Sequence, residues 1–256
     1  MGVIIAVVNN KGGVGKTTIS VNLSHALAVK KKRVLCVDLD SQCNTTSLLA
    51  SGIPTGRTLY ELLEDGKIHP SRCIYHTDYE NLMILPNTEK TSGLELDLIT
   101  LKKYDFLRHR LRNYATDNFD FTFLDCPPNL LYFFISALIC SDLVIVPVLS
   151  SSNFSLEGLS AAINAIESVR QTANEDLRFL RILINRVDKR TSISKALIDR
   201  IRTTFPESMV FKTSISASTK FCEAEEHKKT IIRYATSSSS AKQYRELADE
   251  LLDIIG

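Results

Sequence analysis

Val3-Ile4-Ile5-Ala6-Val7-Val8 runs without interruption into Asn9-Asn10-Lys11-Gly12-Gly13-Val14-Gly15-Lys16-Thr17-Thr18, and a helix-forming stretch, residues 20–30, follows. Consecutive apolar, mostly β-branched residues predict a strand buried on both faces. The glycines allow backbone N–H groups to converge on the oxygens of an anion, and the N-terminus of the next helix adds favourable potential. In such a loop Lys16 reaches the β- and γ-phosphates of a nucleotide, and the Thr17 hydroxyl binds Mg²⁺. An ordinary tight turn has no need of Gly12, Gly13, Val14, Gly15, Lys16, Thr17 and Thr18 in this order. The stretch reads as a nucleotide-binding loop.

The rest of the chain fits a fold built around that unit. Short apolar runs recur at 34–37, 82–85, 121–124, 143–148 and 180–184, mostly without polar alternation. Between them lie helical segments, among them 155–171 with Leu156, Leu159, Ile163 and Ile166 on one face, then 194–203 and 241–255. Ser155 is placed to cap the first of these. Alternating strands and helices predict right-handed crossovers and a doubly wound, mostly parallel α/β sheet with helices on both faces. No linker or repeat divides the chain, so residues 1–256 are expected to form a single domain. The short run 237–240, all serine, is expected to lead into the last helix.

Residues 130–149 could imitate a membrane span, but Asp142 in mid-span would cost about 2.5–3.5 kcal/mol. Ser141-Asp142 divides the run into a helix-length piece and a β-rich piece, and a buried helix followed by a buried strand is expected. The 256 residues carry a net charge of +2, with 44% hydrophobic and 23% charged residues, which excludes a disordered or strongly basic chain. Six cysteines form no C-x-x-C pair and are expected to be reduced thiols, several of them buried. The N-terminal MGVIIAVVNN has neither the basic start nor the long apolar core of a signal peptide, and a cytoplasmic protein is expected.

Two carboxylate sites stand at strand exits, where ligands bind in doubly wound sheets. The run 34–37 ends in Asp38-Leu39-Asp40. From that segment alone, a polar strand exit with Asp opening a turn reads as well as a site. The run 121–124 delivers Asp125, followed by Cys126-Pro127-Pro128, in the arrangement by which a buried strand brings one carboxylate to a Mg²⁺ shell.

The loop departs from G-x-x-x-x-G-K-[ST] in having Asn10 at the first glycine position, followed by Lys11. The form KGGVGKTT resembles the deviant Walker A motif of the ParA/MinD class of ATPases, which have the P-loop NTPase fold. The resemblance implies an ATP- and Mg²⁺-dependent sandwich homodimer, with Lys11 reaching across the interface to the nucleotide of the other copy. It implies that Asp40, in a variant of D-x-D-P-Q with Ser41 in place of proline, positions the hydrolytic water. It implies that Asp125 helps hold the metal through a water and that Asn185, in Asn185-Arg186-Val187-Asp188, reads adenine, although a strand-end cap is an equally simple role for Asn185. Asn44-Thr45-Thr46, Asp142 with the strand after it, Leu156-Glu157-Gly158-Leu159 and Gln243-Tyr244-Arg245-Glu246-Leu247-Ala248 extend the likeness over nearly the whole chain.

Within the class, the partition branch is the better match. MinD-type relatives carry a basic amphipathic C-terminal helix, whereas residues 234–256 here hold two basic and four acidic residues, so no membrane attachment is expected. Residues 178–233 hold 13 Lys and Arg against 6 Asp and Glu. Arg186, Lys189, Arg190, Lys195, Arg200 and Arg202, and further on Lys220, Lys228, Lys229 and Arg233, are candidate phosphate contacts for non-specific DNA. Such binding should weaken steeply with salt. Singly, each reads equally as part of a solvated face. The resemblance also implies a ParB-like or other activator protein, DNA partition, and nucleoid association in the ATP state. One departure is that 215–221 keeps one basic residue, Lys220, where partition ATPases usually carry two. The alternative is a nucleotide-switched scaffold that positions a non-DNA cargo, such as a flagellar, chemosensory or organelle complex, through protein contacts. A metal-chaperone ATPase is disfavoured by the lack of paired cysteines.

Overall fold

The computed structural model describes residues 1–50, 56–151 and 154–256, with the backbone alone at 154–157. Seven strands form one sheet: β1 (Val3–Val7), β2 (Val34–Asp38), β3 (Tyr75–His76), β4 (Leu82–Leu85), β5 (Phe121–Asp125), β6 (Leu143–Leu149) and β7 (Arg178–Asn185). Their order is β3-β4-β2-β5-β1-β6-β7. All neighbours pair in parallel except β3, an antiparallel edge on β4. The six expected strands are all present; two-residue β3 carries no sequence signal of its own.

Eleven helices accompany the sheet among the described residues: α1 (Lys16–Val29), α2 (Asn44–Leu49), α3 (Leu59–Glu64), α4 (Thr91–Thr100), α5 (Phe106–Asn118), α6 (Tyr132–Cys140), α7 (Phe154–Thr172), α8 (Ser192–Thr204), α9 (Lys220–Glu226), α10 (Ile231–Tyr234) and α11 (Ser239–Ile255). The absence of polar alternation in the strands has a simple cause. Ile4, Ala6, Leu35, Leu124 and Val144 face one apolar layer with residues of α5, α6 and α7. Ile5, Val7, Cys36, Phe123 and Ile145 face the other, with α1 and α11. The apolar side chains of the central strands therefore meet helix on both faces.

Helix α1 begins at the loop lysine, four residues earlier than the sequence suggested. Its residues Ile19 to Ala28 are all buried, because α11 covers the side that the sheet does not. The serine run does lead into α11: Ser238 Oγ accepts from Ala241 N at 3.1 Å, and Tyr244, Leu247 and Leu251 form the buried stripe. In α7, Leu159 and Ile166 are buried, while the proposed cap Ser155 and stripe residue Leu156, like Glu157, have side chains outside the described residues. The 130–149 run resolves into α6 and β6. Asp142 lies between them, pairs with Arg112 and accepts from Ile4 N at 2.8 Å. No described helix is long and apolar enough to cross a membrane. All six cysteines are free thiols, four of them buried, while Cys43 is half-buried and Cys222 exposed.

His25 of α1 gives the fold an acid sensitivity. It is 7% exposed, with Nδ1 2.6 Å from Thr230 Oγ1 and its ring centroid 4.2 Å from that of Tyr79. Burial, reinforced by Arg233 and Arg245, pushes the imidazole down to about 4. The unfolded chain takes up this proton near 6.5 and the folded chain does not, so stability falls as pH drops from 6.5 towards 4, by up to about 3 kcal/mol. His25→Gln should flatten that slope in denaturant titrations at pH 7 and pH 4.5. An unchanged slope would contradict the assignment.

Candidate active site

The register brings three strand exits together. Val7 pairs with Asp125, and Asp38 pairs with Asp125 on the other side. The loop leaving β1 thus arches over two carboxylates at the carboxyl end of the sheet. Gly13 and Gly15 have φ of 73° and 92°, a left-handed backbone that favours glycine. A Cβ on Gly15 would also collide with the amide nitrogen of Asn185. Asn185 is buried at the end of β7 and braces the loop: Nδ2 donates to Val14 O at 2.8 Å, and Oδ1 accepts from Arg186 N at 2.9 Å.

Asp125 is fully buried. Its Oδ2 accepts from Thr17 Oγ1 at 2.8 Å and Thr45 Oγ1 at 2.7 Å, and its Oδ1 accepts from Ser20 Oγ at 3.1 Å. Burial raises its pKa, opposed by these hydroxyl donors and by Lys16. Asp38, also buried, accepts at Oδ2 from Thr46 N at 2.8 Å and Thr46 Oγ1 at 2.7 Å. Burial and the neighbouring Asp125 push Asp38 up to about 7. The Thr17 hydroxyl at the cavity and the Asp125 carboxylate bonded to it are hard oxygen donors, the type that suits Mg²⁺. Strand β2 ends at Asp38, so the two aspartates of 38–40 part company: Asp38 points into this buried cluster, whereas Asp40 lies beyond the strand end at the cavity. Asp40 donates its N–H to Asp38 Oδ1 at 3.2 Å and accepts from Gln42 N at 3.0 Å.

Lys16 is 7% exposed and donates to Lys11 O at 3.1 Å. Burial lowers its pKa, and the neighbouring carboxylates of Asp125 and Asp40 work against that. Above the loop lies an open cavity of about 460 Å³, lined by Gly12, Gly13, Gly15, Lys16, Thr17, Thr18 and Asp40 on one side and by Pro128, Arg186 and Glu225 on others. Arg186 therefore stands at the phosphate cavity. Lys189, Arg190, Lys195, Arg200 and Arg202 are exposed after β7 and along α8. Lys228, Lys229 and Arg233 line a separate groove of about 530 Å³ with Tyr79 and His227. Arg190 is paired with Asp188 at 2.9 Å and Lys220 with Glu223 at 2.7 Å. Sequence reasoning missed Ser20, Thr45 and Glu225. Ser20 was within reach of it, because it lies one helical turn after Lys16. Glu225, which accepts from Thr18 Oγ1 at 3.1 Å across 207 positions of sequence, had no such signal.

A strand, a glycine loop with a buried lysine, a helix beginning at that lysine and a carboxylate on the adjacent strand define a P-loop nucleotide-hydrolysing site. The family model described as an AAA domain matches residues 2–179. The sporulation initiation inhibitor protein Soj of Bacillus subtilis is 37% identical over 252 residues, 98% of each chain. The chromosome partitioning protein ParA of Myxococcus xanthus is 35% identical over 258 residues, 98% of this chain and 88% of that one. Among solved structures, the Mycobacterium smegmatis cobyrinic acid a,c-diamide synthase with bound ADP and magnesium superposes with a TM-score of 0.83 at 30% identity, covering 98% of this chain and 94% of that one. The chain belongs to the ParA/MinD-type family of P-loop ATPases, in its Soj/ParA branch. It is an ATP-hydrolysing enzyme of the doubly wound P-loop fold.

Proposed function

We propose that residues 1–256 act as one partition ATPase domain, which binds ATP with Mg²⁺, pairs with a second copy around the nucleotides, holds DNA non-specifically as that dimer, and lets go when a ParB-like or other activator stimulates hydrolysis. The observation that carries this reading is Lys11. It opens the KGGVGKTT form of the phosphate loop, which in the ParA/MinD class reaches the nucleotide of the other copy with this lysine, while Lys16, Thr17 and Asp125 serve the chain's own nucleotide. The named likenesses to Soj and ParA over nearly the full chain support it.

In this mechanism the backbone N–H groups of 12–17 and the Lys16 ammonium take the phosphates. Thr17, with Asp125 through a water, would hold Mg²⁺, which neutralises charge on the β- and γ-oxygens. Thr45 and Ser20 fix the Asp125 carboxylate through hydrogen bonds. Asp40 orients the attacking water. Asn185 stands beside the loop and would read adenine with the second N–H and the second lone pair that its bonds to Val14 O and Arg186 N leave. Glu225 shares the cavity with the phosphates and opposes them. Glu225→Gln should tighten ATP binding about fivefold, about 1 kcal/mol, in equilibrium titration. Weaker binding would show that the Thr18 contact supports the site instead.

The exposed lysines and arginines of 186–233 supply the DNA surface. Pairing two copies doubles it, so a nearly neutral chain can hold DNA only as a dimer. The test is a gel shift with unrelated duplex DNA, with and without ATP, across a salt series. Retardation that needs ATP and collapses as salt rises is expected. No ATP-dependent shift at low salt would favour the scaffold reading, in which the cargo is held through protein contacts.

A further inference from the structure

Asn9 is fully buried where β1 gives way to the loop. Its Nδ2 donates to Pro147 O at 2.8 Å, and its Oδ1 accepts from Lys11 N at 2.9 Å. The carboxamide is a strut from β6 to the first residue of the phosphate loop. The same Lys11 peptide is held at its other end, because Lys11 O accepts Lys16 Nζ at 3.1 Å. Over the strut lies Gly158 of α7. A Cβ there would stand 2.8 Å from Asn9 Oδ1 and 2.9 Å from Asn10 Oδ1, closer than real Cβ atoms come. Asn10 Oδ1 has no hydrogen-bond partner among the described residues. Only glycine lets the helix backbone lie directly on the two carboxamides.

We propose that Asn9 and Gly158 are positioning residues for Lys11: β6 anchors the Asn9 carboxamide, α7 presses on it through Gly158, and together they fix the peptide from which the Lys11 side chain departs. The functional part rests on the reading of Lys11 as the residue that crosses to the other copy. An ammonium that must reach a phosphate in another molecule is sensitive to a shift of its own backbone, since small misplacements of reacting groups are costly. The N–H groups of Gly12 to Thr17 do not hang from the strut. Binding of the chain's own nucleotide is therefore affected much less than pairing.

The test uses the full chain and the variants Asn9→Ala, Gly158→Ala, the double variant, and Lys11→Ala as reference. Amide hydrogen exchange at Lys11 reads the strut directly. Protection should fall tenfold or more in Asn9→Ala and in Gly158→Ala, and unchanged protection would overturn the strut. ATP turnover and ATP-dependent dimer formation should fall tenfold or more in both, with ATP affinity within threefold. The double variant should lose less than the sum of the two single losses, because removing the Asn9 carboxamide removes one of the two groups that the methyl added by Gly158→Ala would strike, the other being Asn10 Oδ1. Additive losses would overturn the shared mechanism. If Lys11→Ala cripples pairing while Asn9→Ala and Gly158→Ala pair and turn over normally, the inference fails and the crossing lysine stands. If Lys11→Ala itself pairs and turns over normally, the crossing lysine fails, and with it the functional part of the inference.

Discussion

Lys16→Ala should abolish ATP binding at working concentrations, weakening affinity at least about 100-fold, or about 3 kcal/mol. The magnitude follows from where the ammonium sits. Lys16 is 7% exposed, at the start of α1, under a cavity floored by backbone N–H groups. Its charge-assisted bonds to phosphate oxygens form where water competes poorly, and such bonds contribute about twice what neutral ones do. Two buried carboxylates, Asp38 and Asp125, stand close by. Without the lysine, a polyphosphate approaches that negative cluster with one fewer positive charge to offset it. Folding should be nearly untouched, because the side chain's one hydrogen bond within the described structure is to Lys11 O. The measurement is calorimetric or fluorescent titration with ATP, beside a thermal melt. Binding within threefold of the unaltered chain, at equal stability, would remove Lys16 from the role given to it.

What could be read from the sequence divides along a physical line. The phosphate loop was legible because its parts are contiguous: strand, glycines, lysine and helix follow within 30 residues. Asp125 was legible as a carboxylate on which a buried strand ends, whereas Asp40 stood out only through the resemblance of its segment to D-x-D-P-Q, since a strand exit alone reads equally as a turn. The six parallel strands were legible because burial on both faces leaves an unbroken apolar run. Helix α5 carries Leu107, Leu111 and Ala115 at a spacing of four, but five basic residues in 101–112 blur its apolar stripe. Three of those five, Arg108, Arg110 and Arg112, turn out to donate to backbone carbonyls. The contacts that finish the site join residues far apart in sequence: Thr45 and Ser20 to Asp125, Glu225 to Thr18, Asn185 to Val14. No local pattern encodes such meetings, because strand order decides them. The same holds for Asp38, whose neighbour Asp125 lies on another strand, and for Asn9, whose partners lie on β6 and in the loop.

Asp40→Ala should lower turnover about 100-fold or more while leaving ATP binding intact, so that the chain accumulates as an ATP dimer retained on DNA. The two aspartates of the segment allow this separation. Asp38 is fully buried, bonded to Thr46 and beside Asp125, and its removal would strand buried donors and damage the fold. Asp40 is half-buried and lines the cavity, and among the described residues its side chain accepts a hydrogen bond only from the exposed Gln42 N–H. Losing that bond costs little, because water replaces the acceptor. What is lost is a carboxylate past the strand end, facing the space above the loop where the terminal phosphate and its attacking water must meet. The phosphate-binding parts, Lys16, Thr17 and the loop N–H groups, make no hydrogen bond to the Asp40 side chain among the described residues and are left unchanged. Binding and pairing should then survive while the chemical step fails. The assay follows phosphate release with and without DNA, and elution of the dimer on duplex DNA under ATP. Normal phosphate release from the variant would assign the water to another residue. Lost ATP binding would show that Asp40 serves the ground state rather than hydrolysis.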